Sequence, residues 1–209
     1  MKLQTIQKIG GISLIAGSIL FAAYSILFPL ILPVSEIQQD FTMLVNDAHW
    51  TTLALIVMAG ILLMIFGYMA VYSRMYAKSG IIGFLGFIFI QLAYLFQACK
   101  VTWEICLYPV IARQLTAAPL LRDGIIKHDL AVVLFRNISS ISILLGIILF
   151  CLAIIRSKVF PKIAGILIFF GALAYALGPV FLIRISGIFI LSTGCLILGL
   201  ELIRGKKTA

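Results

Sequence analysis

A chain of 209 residues that is 63% hydrophobic and 11% charged, with a mean hydropathy of +1.21, is far more apolar than a soluble domain. Its apolar runs of roughly 18 or more residues indicate a helical membrane protein, and without alternating polarity a transmembrane barrel is excluded. The net charge of +9 sits mostly in Lys/Arg clusters beside those runs, which excludes nucleic acid as a partner and implies membrane lipids.

Met1 to Lys8 is a short basic start, and an apolar run over about 9–32 follows. It exceeds the roughly 7–15-residue core of a secretory signal, so it reads as a retained membrane helix. Residues 33–50 form a polar connection with Glu36, Asp40 and Asp47, in which Asn46 or Asp47 is placed to cap a second helix over 50–72. Arg74 and Lys78 mark a short turn before a third helix over 80–112. The longest polar loop, Arg113 to Lys127, precedes a fourth helix over 129–155. A basic turn from Arg156 to Lys162 opens a fifth over 163–178. Gly178-Pro179 breaks the hydrogen-bond ladder, and a sixth helix covers 180–203. The expected fold is all-α: one transmembrane domain, residues 1–209, of six helices.

Counting Lys and Arg sets the orientation. With both termini inside, the inner ends hold ten: Lys2, Lys8, Arg74, Lys78, Arg156, Lys158, Lys162, Arg204, Lys206 and Lys207. The outer loops hold four, Arg113, Arg122, Lys127 and Arg184, so both termini are expected in the cytoplasm. A faint repeat runs through the odd-numbered helices. Lys8-Ile-Gly-Gly-Ile12 with Gly17 matches Lys162-Ile-Ala-Gly-Ile166 with Gly171, and Gly80-Ile81 with Gly86 repeats part of it. Three parallel hairpins would produce this, as would simple recurrence of glycine in an apolar chain.

The segment Arg156-Ser157-x-x-Phe160-Pro161-Lys162-x-x-Gly165, with Gly171, Tyr175 and Gln97-Ala98, resembles uncharacterised six-helix bacterial integral membrane proteins classed as a domain of unknown function. The resemblance implies six helices and a bacterial inner membrane, and no activity.

Chemistry concentrates in the third helix. Gln97, Lys100 and Glu104 fall within about 60° of one another, with Tyr94 and Tyr108 flanking the same stripe. Lys100 lies about 28 Å along the helix from Ile81, near the outer boundary of a ~30 Å apolar core. Arg136 lies ~10 Å inside the outer end of the fourth helix, on one face with Asp129 and Ser140. Two readings compete. Arg136 pairs with Glu104 or Asp129 while Lys100 pairs with Glu104, locking two helices together. Alternatively Gln97, Lys100, Glu104, Arg136, Asn137, Tyr94 and Tyr108 line an outer pocket for an anionic or amphiphilic small molecule, with Arg136 as the anion clamp.

Other chemistries have less to build on. His49 and His128 stand at outer helix ends and could meet over a metal, but neither belongs to a ligand motif. An enzyme would use Glu104 as general acid or base, yet no nucleophile motif or phosphate loop accompanies it. Cys99, Cys106, Cys151 and Cys195 form no C-x-x-C pair and read as small buried apolar residues, although Cys99 and Cys106 share a helix face that would suit a redox pair. No cofactor is implied. Gly11, Gly17, Gly165 and Gly171 would permit close helix approach, which leaves open a protein partner or homo-oligomer.

Overall fold

The computed structural model describes residues 3–32, 41–114, 116–122, 125–177 and 181–205. Among these, every regular element is helical: α1 (Leu3–Ile31), α2 (Phe41–Val45), α3 (Trp50–Cys106), α4 (Tyr108–Arg113), α5 (Ala118–Arg122), α6 (Ile125–His128), α7 (Leu130–Ser157), α8 (Lys162–Leu177) and α9 (Phe181–Arg204). Four helices are long and apolar enough to cross a membrane: α1, α3 with its extension through α4, α7 and α9. The apolar helix α8 is shorter. Gly178-Pro179, with Lys2, Glu36, Asp40, Lys206 and Lys207, lies outside the described residues.

The 57 residues of α3 would measure about 85 Å if straight, nearly three times a ~30 Å apolar core. Gly80 prevents this: its φ of 58° and ψ of −158° fall where only glycine is comfortable. The arms on either side, 50–79 and 81–106, fold back on each other. Tyr72 stacks on Phe87 at 4.4 Å and Tyr68 on Tyr94 at 5.6 Å. Gln91 Nε2 donates to the Ile65 carbonyl at 3.2 Å, and Trp50 Nε1 donates to the Glu104 carbonyl at 2.9 Å. All four pairs are centred near residue 80, so the arms are antiparallel.

Several expected boundaries need correction. The first arm stays helical through Arg74 and Lys78 instead of stopping at 72, because no glycine or proline intervenes before Gly80. The second arm ends at Cys106 rather than 112, since Pro109 has no N–H for the Ile105 carbonyl, and α4 restarts after Leu107. Neither Asn46 nor Asp47 caps α3; His49 takes that position, and Asp47 instead accepts the His49 backbone N–H at 2.7 Å. The connection over 33–50 contains α2, which buries Leu44 and Val45 against Trp50 and Leu53. The loop after Arg113 is not structureless either: α5 and α6 occupy it, and Leu121 is buried while Leu120 and Ile125 are exposed.

The helices close into a ring. α1 packs on α3 and α9, α7 on α3 and α8, and α8 on α9. Glycines set the closest approaches. A Cβ at Gly17 would meet Met64 N at 2.9 Å and Gly60 O at 3.0 Å; at Gly86 it would meet Phe150 N at 2.5 Å; at Gly171 it would meet Gly187 O at 2.7 Å. A second layer repeats the arrangement, with Gly67 against Leu14, Gly83 near Ala153, and Gly194 against Ile168. Tyr68 occupies the middle of the ring with 2% of its surface exposed, its ring 5.5 Å from Phe150 and its hydroxyl 3.6 Å from Cys195 Sγ. That contact gives the buried hydroxyl a partner.

At the end holding Gly80, Arg74 donates to the Glu201 carbonyl and lies over the Phe160 ring, 5.4 Å from its centroid. The opposite end is open.

A cationic cavity at the open end

The cavity follows from where bulky side chains fall. Phe28, Trp50, Phe96, Trp103 and Phe135 cluster where α1, both arms of α3 and α7 reach the end away from Gly80. Phe135 meets Phe96 and Trp103, each at 5.2 Å between centroids, and Phe28 meets Trp50 at 6.1 Å. Large rings hold apart the helices that glycines draw together further along, and a cavity of about 590 Å³ opens between them. Leu120, Leu121 and Ile126 from α5 and α6 line it as well.

Gln97, Lys100, Glu104, Tyr108 and Arg136 line this cavity. Gln97, Lys100 and Glu104 reach it together because they share one helical stripe. Tyr94, roughly 9 Å deeper by helical rise, instead joins the interior cluster through Tyr68. Asn137 is exposed and does not line the cavity: it stands about 100° around the helix from Arg136, whereas Ser139 and Ser140 return to that face.

The charges are unevenly matched. Lys100 Nζ lies 3.5 Å from Glu104 Oε1, with the glutamate side chain only 12% exposed and the lysine 59%. The expected pairing of Arg136 with Glu104 or Asp129 is not made. Asp129 is committed to the start of α7, where it accepts the Ala131 N–H at 2.9 Å. Among the described residues, neither Arg136 nor Arg184 has a carboxylate within 4.0 Å. Among the described residues, the lining therefore carries three cationic side chains, Lys100, Arg136 and Arg184, against one carboxylate, that of Glu104.

The remaining candidates lie elsewhere. His49 Nδ1 pairs with Asp47 at 3.0 Å, and His128 is exposed on α6. The His49 backbone N–H donated to Asp47 holds that carboxyl below the usual carboxylate range. Among the described residues, no three His, Cys, Asp or Glu side chains gather as a metal site. All four cysteines are free; Cys151 and Cys195 are buried, but Cys99 and Cys106 are exposed, contrary to their reading as buried residues. Their apolar neighbourhood in the sequence reflects an outward helix face, not an interior one.

Sequence spacing missed several lining residues. Phe96 and Trp103 sit four before and three after Lys100, and Ser139 sits three after Arg136, beside the Ser140 already placed on that face, so helical periodicity carried that signal. Tyr24, Ser25 and Phe28 on α1, and Tyr175 on α8, arrive only through tertiary packing. No protein-family model, curated protein or solved structure matches this chain.

Proposed function

We propose that this protein crosses a bacterial inner membrane six times and binds an anionic, amphiphilic small molecule in the cavity, the first step of any translocation. The observation that carries the reading is the pair of guanidinium groups, Arg136 and Arg184, beside apolar walls with no carboxylate partner among the described residues. Unpaired charge next to hydrocarbon is costly, and a ligand anion would offset it through forked, charge-assisted hydrogen bonds. The walls of Phe28, Phe96, Trp103 and Phe135 suit an apolar tail.

The six crossings are α1, the two arms of α3, α7, α8 and α9, with Gly80 as a tight turn between the second and third. A threefold hairpin repeat is supported by the register of the glycine contacts. Gly17, Gly86 and Gly171 each face the residue four after Gly60, Gly146 and Gly187 respectively. The second layer keeps that register: Leu14, Gly83 and Ile168 lie three residues before the first set, and Gly67, Ala153 and Gly194 lie seven after the second. Arg74, Phe160 and Glu201, which meet at the closed end, lie fourteen after it. Composition alone would not hold one register through three layers.

Lys8, Arg74, Lys78, Arg156, Lys158, Lys162 and Arg204 gather at the closed end. The positive-inside rule then favours a cytoplasmic closed end and an outward cavity. The glycines that would have suited a partner protein are used within the chain: Gly11 against Gly199, Gly17 against Gly60, Gly165 against Cys151, and Gly171 against Gly187.

The test is Arg136→Ala beside Lys100→Ala, with melting in detergent and co-purifying lipid measured together. Arg136→Ala should deplete anionic lipid several-fold with little change in melting. Lost stability with lipid content unchanged would favour a purely structural role.

A further inference from the structure

Resting on that reading, we infer that the cavity selects one head chemistry: a phosphate monoester carried on an apolar tail, in preference to monoanionic or zwitterionic amphiphiles. The inference comes from counting charge and hydrogen-bonding capacity. Among the described residues, Lys100, Arg136 and Arg184 face one carboxylate, leaving an excess of two formal positive charges. That carboxylate is already engaged with Lys100 at 3.5 Å.

A zwitterionic head would bring a cation to a cavity in which the one anionic acceptor among the described residues is taken. A carboxylate or phosphodiester brings a single charge and leaves one guanidinium uncompensated. A phosphate monoester brings about −1.5 to −2 charges near neutral pH and three terminal oxygens, matching two arginine forks and the ammonium of Lys100. Arg136 and Arg184 come from different helices, α7 and α9, so one head can be gripped from two sides. Phe96, Trp103 and Phe135 supply the wall for its tail.

The full chain in dodecyl maltoside is titrated with four probes: lysophosphatidate, lysophosphatidylglycerol and lysophosphatidylcholine of one acyl chain, and tailless glycerol 3-phosphate. Binding is read by native mass spectrometry and by melting shift. Lysophosphatidate should bind about ten-fold tighter than either other lysolipid, and glycerol 3-phosphate at least ten-fold weaker than lysophosphatidate. Arg184→Gln should retain binding but erase the preference for lysophosphatidate over lysophosphatidylglycerol. Arg136→Lys keeps the charge but not the fork, so it should weaken lysophosphatidate while preserving the order; it covers the case in which Arg184→Gln does not fold. Equal binding of lysophosphatidate and lysophosphatidylglycerol to the native chain overturns the monoester inference and leaves the anionic-amphiphile reading standing. Binding of none of the lysolipids overturns both. Glycerol 3-phosphate binding as tightly as lysophosphatidate means a soluble phosphate ester is the ligand, which also overturns both.

Discussion

Gly86→Ala and Gly60→Ala make a paired test of the packing that shapes the bundle. Each adds one methyl to a helix interior, so the gain of about 1 kcal/mol in helix propensity is common to both and cancels in their difference. The surroundings are what differ. A Cβ at Gly86 would stand 2.5 Å from Phe150 N, 2.8 Å from Leu149 C and 2.9 Å from Phe150 Cα, all backbone atoms that no rotamer change can move. At Gly60 the nearest atom is 3.3 Å away and the next two are at 3.4 Å, close to ordinary contact. Accommodating the first methyl requires α7 to retreat by about 1 Å, from 2.5 Å toward 3.4 Å, and overpacking of that kind costs about 1–3 kcal/mol. At roughly 2–4 °C per kcal/mol for a chain of this size, Gly86→Ala should melt about 2–12 °C below Gly60→Ala. The assay is thermal denaturation in detergent, followed by the surviving monodisperse fraction. Melting within a degree of each other would refute the argument that backbone contact at Gly86 holds the second arm to α7.

Gly80→Ala isolates backbone conformation from packing, because a Cβ there meets nothing within 4 Å; its strained φ should still cost about 1–3 kcal/mol, and unchanged melting would refute the turn argument. Trp50→Phe keeps an aromatic ring beside Phe28 but removes the indole bond to the Glu104 carbonyl, so melting should fall by the equivalent of about 0.5–1.5 kcal/mol. Maleimide in detergent should label Cys99 and Cys106 in the folded protein, and Cys151 and Cys195 only after denaturation; early labelling of Cys195 would contradict its packing against Tyr68.

What was legible in the sequence follows the range of the interactions. Periodicity and hydropathy found the long helices, with α8 and α9 starting within a residue of expectation, because each helix carries its own signal. The stripe of Gln97, Lys100 and Glu104 was readable for the same reason: a single helix fixes which side chains share a face. The turn between the arms was misread because Arg74 and Lys78 look like loop residues, while the break depends on the backbone freedom of Gly80 alone. Tyr94 and Tyr108 differ by only about 40° in angle; depth separates them, and depth depends on which helix lies opposite. Arg184 was visible as a charge, but nothing within α9 says that α7 delivers Arg136 to the same cavity.

The two ends of the bundle also bear on whether the proposed binding would lead to passage. Bulky rings spread the helices at the cavity, whereas Arg74 closes the other end by bonding the Glu201 carbonyl and covering Phe160. A ligand passing through would have to separate those three residues, which come from the first arm of α3, the turn after α7, and α9. Arg74→Gln therefore distinguishes passage from retention. If the protein moves its ligand, loosening this contact in proteoliposomes should raise leak of a labelled amphiphile while binding in detergent stays unchanged. If it only retains the ligand, both measurements should stay at the native level, and the closed end is a permanent seal.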